Sequence, residues 1–150
     1  MKSLIRTLIA LTGIWTGLAQ AQVDGQPRGF SLPMIVQRHF EEEFHDADNV
    51  TWRQTGDKYV ASFVKNTFRM DAYYTDNGVW LKTEIDVPLA RFPEAARTHL
   101  SQTYGNWQVN RTGYHDAEDA RYYWVDISGG GGIRTIQYDD DGVFLRVISK

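Results

Sequence analysis

The sequence predicts an α+β fold in which one unit, a helix followed by four antiparallel strands, is written twice in tandem. Three observations carry that reading. "YYTDNGVWL" from Tyr73 to Leu81 returns as "QYDDDGVFL" from Gln137 to Leu145, so Tyr74, Gly78, Val79 and Leu81 recur 64 positions later as Tyr138, Gly142, Val143 and Leu145. "LPMIVQRHFEEEF" from Leu32 lines up with "FPEAARTHLSQTY" from Phe92 at an offset of 60, matching Pro33 with Pro93, His39 with His99 and Phe44 with Tyr104. Within each copy the apolar period changes from four to two, the change from a helix face to a strand face. Two copies at this spacing indicate a duplicated half-domain, since a solenoid needs three or more repeats to bury its faces.

Each copy, about residues 31–87 and 88–150, opens with a helix. Ser31 is placed to cap the first, Pro33 suits its first turn, and Val36, Phe40 and Phe44 form an apolar stripe. Ala96, Leu100 and Tyr104 repeat that stripe, with Gly105 as the stop. Strands are expected at 49–54, 58–65, 68–75 and 79–86, then at 107–113, 121–128, 132–139 and 143–149, joined by short turns that impose antiparallel pairing. Asn77-Gly78 and Asp141-Gly142 suit a type I′ hairpin turn, which needs positive φ at both central residues. The second copy carries about four extra residues, assigned to an acidic loop in "HDAEDA" from His115.

Residues 1–21 read as a signal peptide: Lys2 and Arg6 precede an apolar stretch over 8–18, and Ala19-Gln20-Ala21 offers small residues where a signal peptidase reads. The stretch falls short of the roughly 20 residues that cross a bilayer. Residues 22–150 are then the mature chain, periplasmic or secreted, with no membrane insertion after signal removal. Losing Lys2 and Arg6 takes the net charge from −3 to −5. Such a surface repels phosphate backbones, so nucleic acid is not an expected partner. With no cysteine, the core holds without disulfides and there is no lipid-modified cysteine.

No catalytic constellation is visible, and the expectation is a protein that is not an enzyme and needs no cofactor or metal. His39 and His45 flank Glu41 to Glu43 six positions apart, unlike the His-Glu-x-x-His spacing. There is no G-x-S-x-G elbow, and no Lys-Ser or Lys-Thr follows Gly129 to Gly132, which read as a turn between strands. Asp139-Asp140-Asp141-Gly142 starts like a calcium loop, but Arg146 and Val147 follow in a strand, so it reads as a hairpin turn. His115, Asp116, Glu118 and Asp119 offer oxygen and nitrogen ligands in the acidic loop without a fixed metal spacing.

"FHDADNVTW", "YVASF", "YYTDNGVW" and "VPLARFPEAARTHLSQTY" resemble the PepSY-like proteins, a bacterial periplasmic family also described as similar to the β-lactamase inhibitor protein. The resemblance spans nearly the whole mature chain. It implies a single domain whose two repeats join in one curved antiparallel sheet with the helices on one face. It carries no catalytic residues, and it points to binding of another protein, with inhibition as the best-known relative's activity.

Alternation along the strands sorts the side chains into two faces. Tyr59, Ala61, Phe63, Ala72, Tyr74, Val79 and Leu81 are apolar in both copies, matched by Tyr123, Val125, Ile127, Ile136, Tyr138, Val143 and Leu145, and are expected beneath the helices. The other face reads Val60, Ser62, Arg69, Asp71, Tyr73, Trp80, Lys82 and Glu84, then Tyr122, Trp124, Asp126, Gln137, Phe144 and Arg146. Eight strands about 4.8 Å apart and about 20 Å long present about 750 Å². An ordinary interface buries about 800 Å² per partner. Tyr73, Trp80, Lys82, Tyr122, Trp124, Phe144 and Arg146 are therefore the candidate contacts for another envelope or secreted protein, aromatics and Arg being the usual anchors. The competing reading is that these rings only pack across the ladder, at about 0.2–1 kcal/mol per pair. A small-ligand or cation sensor built on the acidic loop is the alternative function, and self-association through the same face stays open.

Overall fold

The computed structural model describes residues 30–149, and the expected signal peptide lies outside them. In the first half, helix α1 (Met34–Glu43) precedes β1 (Asp48–Thr55), β2 (Lys58–Lys65), β3 (Phe68–Tyr74) and β4 (Trp80–Ile85). A 3-10 turn at Leu89–Arg91 leads to α2 (Glu94–Tyr104), β5 (Gln108–Ala117), β6 (Arg121–Gly129), β7 (Gly132–Tyr138) and β8 (Phe144–Ser149). The strands form one antiparallel sheet in chain order from β1 to β8, an α+β fold. No helix among the described residues is long and apolar enough to cross a membrane.

The predicted stripes pack as two separate cores. Val36 and Phe40 of α1 lie buried on Ala61, Phe63, Ala72 and Tyr74. The Phe40 ring meets those of Phe63, Trp52, Phe44 and Tyr74 at 5.1 to 6.4 Å. Ala96 and Leu100 of α2 lie with Phe92 on Val125, Ile127, Ile136 and Tyr138. Neither helix takes a side-chain cap. Pro33 and Pro93 are the N-cap residues, and the Pro33 carbonyl accepts from Val36 and Gln37, so Ser31 stands two residues outside the cap.

The turns differ from expectation. In the repeated nonapeptide only Gly78 (φ +79°) and Gly142 (φ +84°) are left-handed, and their N–H groups donate to Thr75 and Asp139 carbonyls at 3.0 Å. These are three-residue turns ending in a left-handed glycine rather than type I′ turns. Thr75 and Asp139 stabilise them, since Thr75 Oγ1 and Asp139 Oδ1 accept from the N–H of Val79 and Val143 at 3.1 and 2.8 Å. Two consecutive positive φ values occur instead at Asn66-Thr67 and Gly130-Gly131, which close β2 to β3 and β6 to β7.

A β-bulge at the same place in each half reverses part of the predicted facing. Tyr73 pairs with Lys82 but Tyr74 with Trp80, leaving Leu81 extra; Gln137 pairs with Arg146 but Tyr138 with Phe144, leaving Leu145 extra. One extra residue moves everything beyond it to the opposite face. Trp80 and Phe144 therefore sit on the helix side and not on the open face. Trp80 packs on the first core and donates its indole N–H to the buried Thr83 hydroxyl at 3.0 Å. The Phe144 ring lies 5.1 Å from His99 of α2. Val79, Val143 and Leu145, expected beneath the helices, are exposed, and Leu81 is only half-buried.

The first half of the expected acidic loop, His115 to Ala117, is strand, and Glu118 to Ala120 form the connection to β6. β5 continues to Ala117, and its last four residues, Tyr114 to Ala117, pair with Ile85 to Lys82 of β4. The extra residues of the second half are thus the rungs that join the two halves into one sheet.

Candidate binding face

Five of the seven predicted contact residues lie on the face opposite the helices. Tyr73 of β3 pairs with Lys82 of β4, and Trp124 of β6 follows through Gln137 to Arg146 of β8. Tyr122 joins them two residues before Trp124 on β6, opposite His115 of β5. Trp80 and Phe144 are excluded by their bulges.

The polar groups of this face hold one another. Arg53 donates to Asp71 at 2.8 Å and to the Ser62 hydroxyl, which itself donates to Asp71 at 2.6 Å. Burial works against the Asp71 charge, but the Arg53 and Ser62 hydrogen bonds outweigh it and keep the carboxyl below its usual range. Glu84 accepts from both Lys82 Nζ and His115 Nδ1 at 2.8 Å. The His115 ring stacks on Tyr122 at 4.5 Å and 10°, and Lys82 lies 4.6 Å over the Tyr73 ring. Burial first, and the Glu84 charge second, push the Tyr122 hydroxyl above the ordinary phenol range. Arg146 Nε donates to Gln137 at 2.6 Å, and Thr135 donates to Asp126.

Trp124 lies across the neighbouring strand. A Cβ added to Gly113 would come within 2.5 Å of its ring and 2.8 Å of the Ile85 carbonyl oxygen, so only glycine admits the indole there. The Arg111 guanidinium sits 5.3 Å from the same ring, while the indole N–H is buried without an acceptor among the described residues.

A groove of about 640 Å³ opens on this face. Tyr73, Tyr122 and Trp124 line it together with Arg69, Arg111 and four carboxylates, Asp71, Glu84, Asp86 and Asp126. It sits where the sheet divides: β4 pairs with the second part of β5 only, and the first part, through Gly113, pairs with β6 alone. Arg111, Gly113 and His115 were absent from the predicted face. Their signal was the parity of Arg111, Gly113, His115 and Ala117, which continues unbroken through the segment assigned to a loop.

The presumed cation ligands do not converge. His115 and Asp116 are consecutive strand residues, so they project to opposite faces, and the described residues contain no group of three or more His, Asp or Glu placed for a metal.

The family described as "Putative beta-lactamase-inhibitor-like, PepSY-like" matches residues 57–146. Three solved structures share the fold. A BLIP-like protein from Bacteroides fragilis is 21% identical, with a TM-score of 0.74 over 81% of this chain and 89% of its own. A DUF2874 family protein from Bacteroides ovatus is 22% identical, with a TM-score of 0.72 over 81% and 89%. A protein from Bacteroides eggerthii, described as "putative periplasmic", is 19% identical, with a TM-score of 0.71 over 80% and 90%. None of the curated proteins matches the chain significantly.

Proposed function

The chain belongs to the β-lactamase-inhibitor-like, PepSY-like family, and from that premise we propose that it is an exported, non-enzymatic module that binds another envelope or secreted protein through the open face of its sheet. The groove carries the reading: three aromatic rings, Tyr73 on β3 with Tyr122 and Trp124 on β6, ringed by charge, on a face that no helix of the described chain covers. Aromatics flanked by polar groups are the usual centre of a protein interface. Tyr73, Lys82, Tyr122, Trp124 and Arg146 are its contact residues. Inhibition of a secreted enzyme is the use that the family description suggests. The signal-peptide pattern supports a periplasmic or secreted location, as does the description of the Bacteroides eggerthii neighbour. Bulges and turns repeated at an offset of 64 support descent of the two halves from one tandem-copied unit. The cation-sensor alternative is weaker, since His115 and Asp116 of its loop lie in β5 and project to opposite faces.

Immobilised wild-type protein should retain a defined partner from an envelope extract, and Tyr122→Ser/Trp124→Ser should release it while its circular dichroism stays unchanged. Equal retention by both proteins would remove the open face from the function. Mass spectrometry of the exported protein should give Gln22 as its first residue.

A further inference from the structure

Among the described residues the sheet ends in two edges without a partner strand, and they are unlike. β1 is bent by a bulge between Asp48 and Thr51, where Asn49 is left-handed at φ +54°, and it continues as the mostly polar Thr51-Trp52-Arg53-Gln54-Thr55. A bulge and polar side chains are a usual protection of an edge against pairing with another chain. β8 reads Phe144-Leu145-Arg146-Val147-Ile148-Ser149, and past its bulge at Leu145 it pairs regularly with β7 from Arg146 to Ser149. Val143, Phe144, Leu145 and Ile148 are 40% to 57% exposed. Ile133 of β7, also exposed, has the same parity as Thr135, the residue paired with Ile148. The only charge of β8 does not guard the edge, because Arg146 Nε is turned inward to Gln137 of β7 at 2.6 Å.

We propose that β8 pairs with β8 of a second copy of the chain, antiparallel and about a two-fold axis, in the register that sets Val147 against the partner's Val147. Self-pairing must match residues of equal parity, since neighbouring residues turn their N–H groups to opposite sides of a strand. Of the registers that overlap most of β8, two qualify. One sets Arg146 against the partner's Arg146, with like charges directly opposite, which is unfavourable. The other sets Arg146 against the partner's Ile148, so that the aliphatic stem of the arginine covers an isoleucine now in water, and Leu145 against the partner's Ser149. A second copy fits because every copy carries the same apolar edge, and a two-fold contact closes it without leaving another such edge exposed. An edge of six residues covers less than the about 800 Å² per partner of an ordinary interface, so the dimer is weak. The axis stands perpendicular to the sheet: the helices of both copies keep to one side, and both grooves open on the other. The pairing thus leaves the open face free and stands apart from the binding of another protein there.

Sedimentation equilibrium of the exported protein, from micromolar to near-millimolar concentration, tests this. Wild type should pass from monomer to dimer and go no further. Each substitution at Ile148 acts twice across the axis. Ile148→Lys sets a second positive charge against Arg146 and should raise the dissociation constant about tenfold, whereas Ile148→Glu sets a carboxylate against it and should hold or lower that constant. A wild type that stays monomeric throughout would overturn the pairing, as would a dimer that Ile148→Lys leaves intact. A dimer dissolved by Tyr122→Ser/Trp124→Ser would place association on the open face and overturn it too. Equal weakening by Lys and Glu would overturn the register, and growth beyond dimers would overturn the two-fold closure. Circular dichroism of each variant separates lost association from lost fold.

Discussion

Arg53 opposite Val60 in the first half and Gly113 opposite Trp124 in the second are equivalent rungs of the sheet, 60 and 64 positions apart on their two strands. Each rung pairs one large side chain with one small one, but the large one changes strand. In the first, the Arg53 head reaches Ser62 and Asp71, and Val60 is wholly buried on a face without helices. In the second, the Trp124 indole lies over Gly113. The first corner is closed by ionic hydrogen bonds, and the second becomes an aromatic floor with a groove beside it. The same backbone scaffold thus yields two surfaces, and the difference comes from which strand bears the bulk. The cores differ in the same manner, since aromatic rings cluster around Phe40 whereas Leu100 sits among Val125, Ile127 and Ile136.

The largest test concerns those cores. Phe40→Ala should cost about 3–5 kcal/mol and Leu100→Ala about 2–4 kcal/mol in urea unfolding, because the ring touches four others. Equal losses would mean that the aromatic and aliphatic cores are energetically the same. Next in size are the bulges. Trp80→Ser should cost about 2–3 kcal/mol, removing core packing and the Thr83 hydrogen bond, while Trp124→Ser should cost about 1 kcal/mol. The reverse order would place Trp80 on the open face after all.

Gly113→Ala probes the second rung directly and should cost about 1–3 kcal/mol through overpacking. Adding Trp124→Ala should recover part of that cost, leaving the part due to the Ile85 carbonyl; strictly additive losses in a double-mutant cycle would show that the ring and the glycine are independent. The smallest effect is on pH dependence in the first half. The folded pKa of Asp71 is lowered, so its contribution is present above the ordinary carboxylate range and is lost as pH falls through the folded value. Asp71→Asn should flatten the acid limb of the stability curve. Glu43 has the opposite sign: burial first, then Asp116, raise its pKa, so the fold gains from its protonation as pH falls. Glu43→Gln should therefore raise the unfolding midpoint at neutral pH and leave it unchanged in acid; a lower midpoint at neutral pH would show that the carboxylate is held favourably.

Helices, strand count, antiparallel order and the apolar stripes were legible because each is a periodicity within one segment. Ala61 and Phe63, like Val125 and Ile127, share one parity and are buried as that parity predicts, whereas Val60, of the opposite parity, is buried as well. The turn type was not legible, since Asn77-Gly78 serves both a two-residue turn and a three-residue turn ending at glycine. His115 was hidden by the acidic run, whose composition resembles a loop although pairing with β4 makes its first three residues strand, while Arg111 and Gly113 fell in an expected strand whose facing was not assigned.

Local side-chain chemistry was sufficient for the α+β class and the aromatic character of one face, because those properties are carried by residues two to four positions apart, and the self-similarity of the sequence is legible by aligning it with itself at offsets of 60 and 64. Which aromatics reach that face depended on pairing across strands. An unpaired Leu81 or Leu145 inverts alternation only relative to a partner strand, and the same pairing draws the acidic segment into β5 and opens the groove beside Gly113. Register is a relation between distant segments, so it is settled when they meet and not within either one.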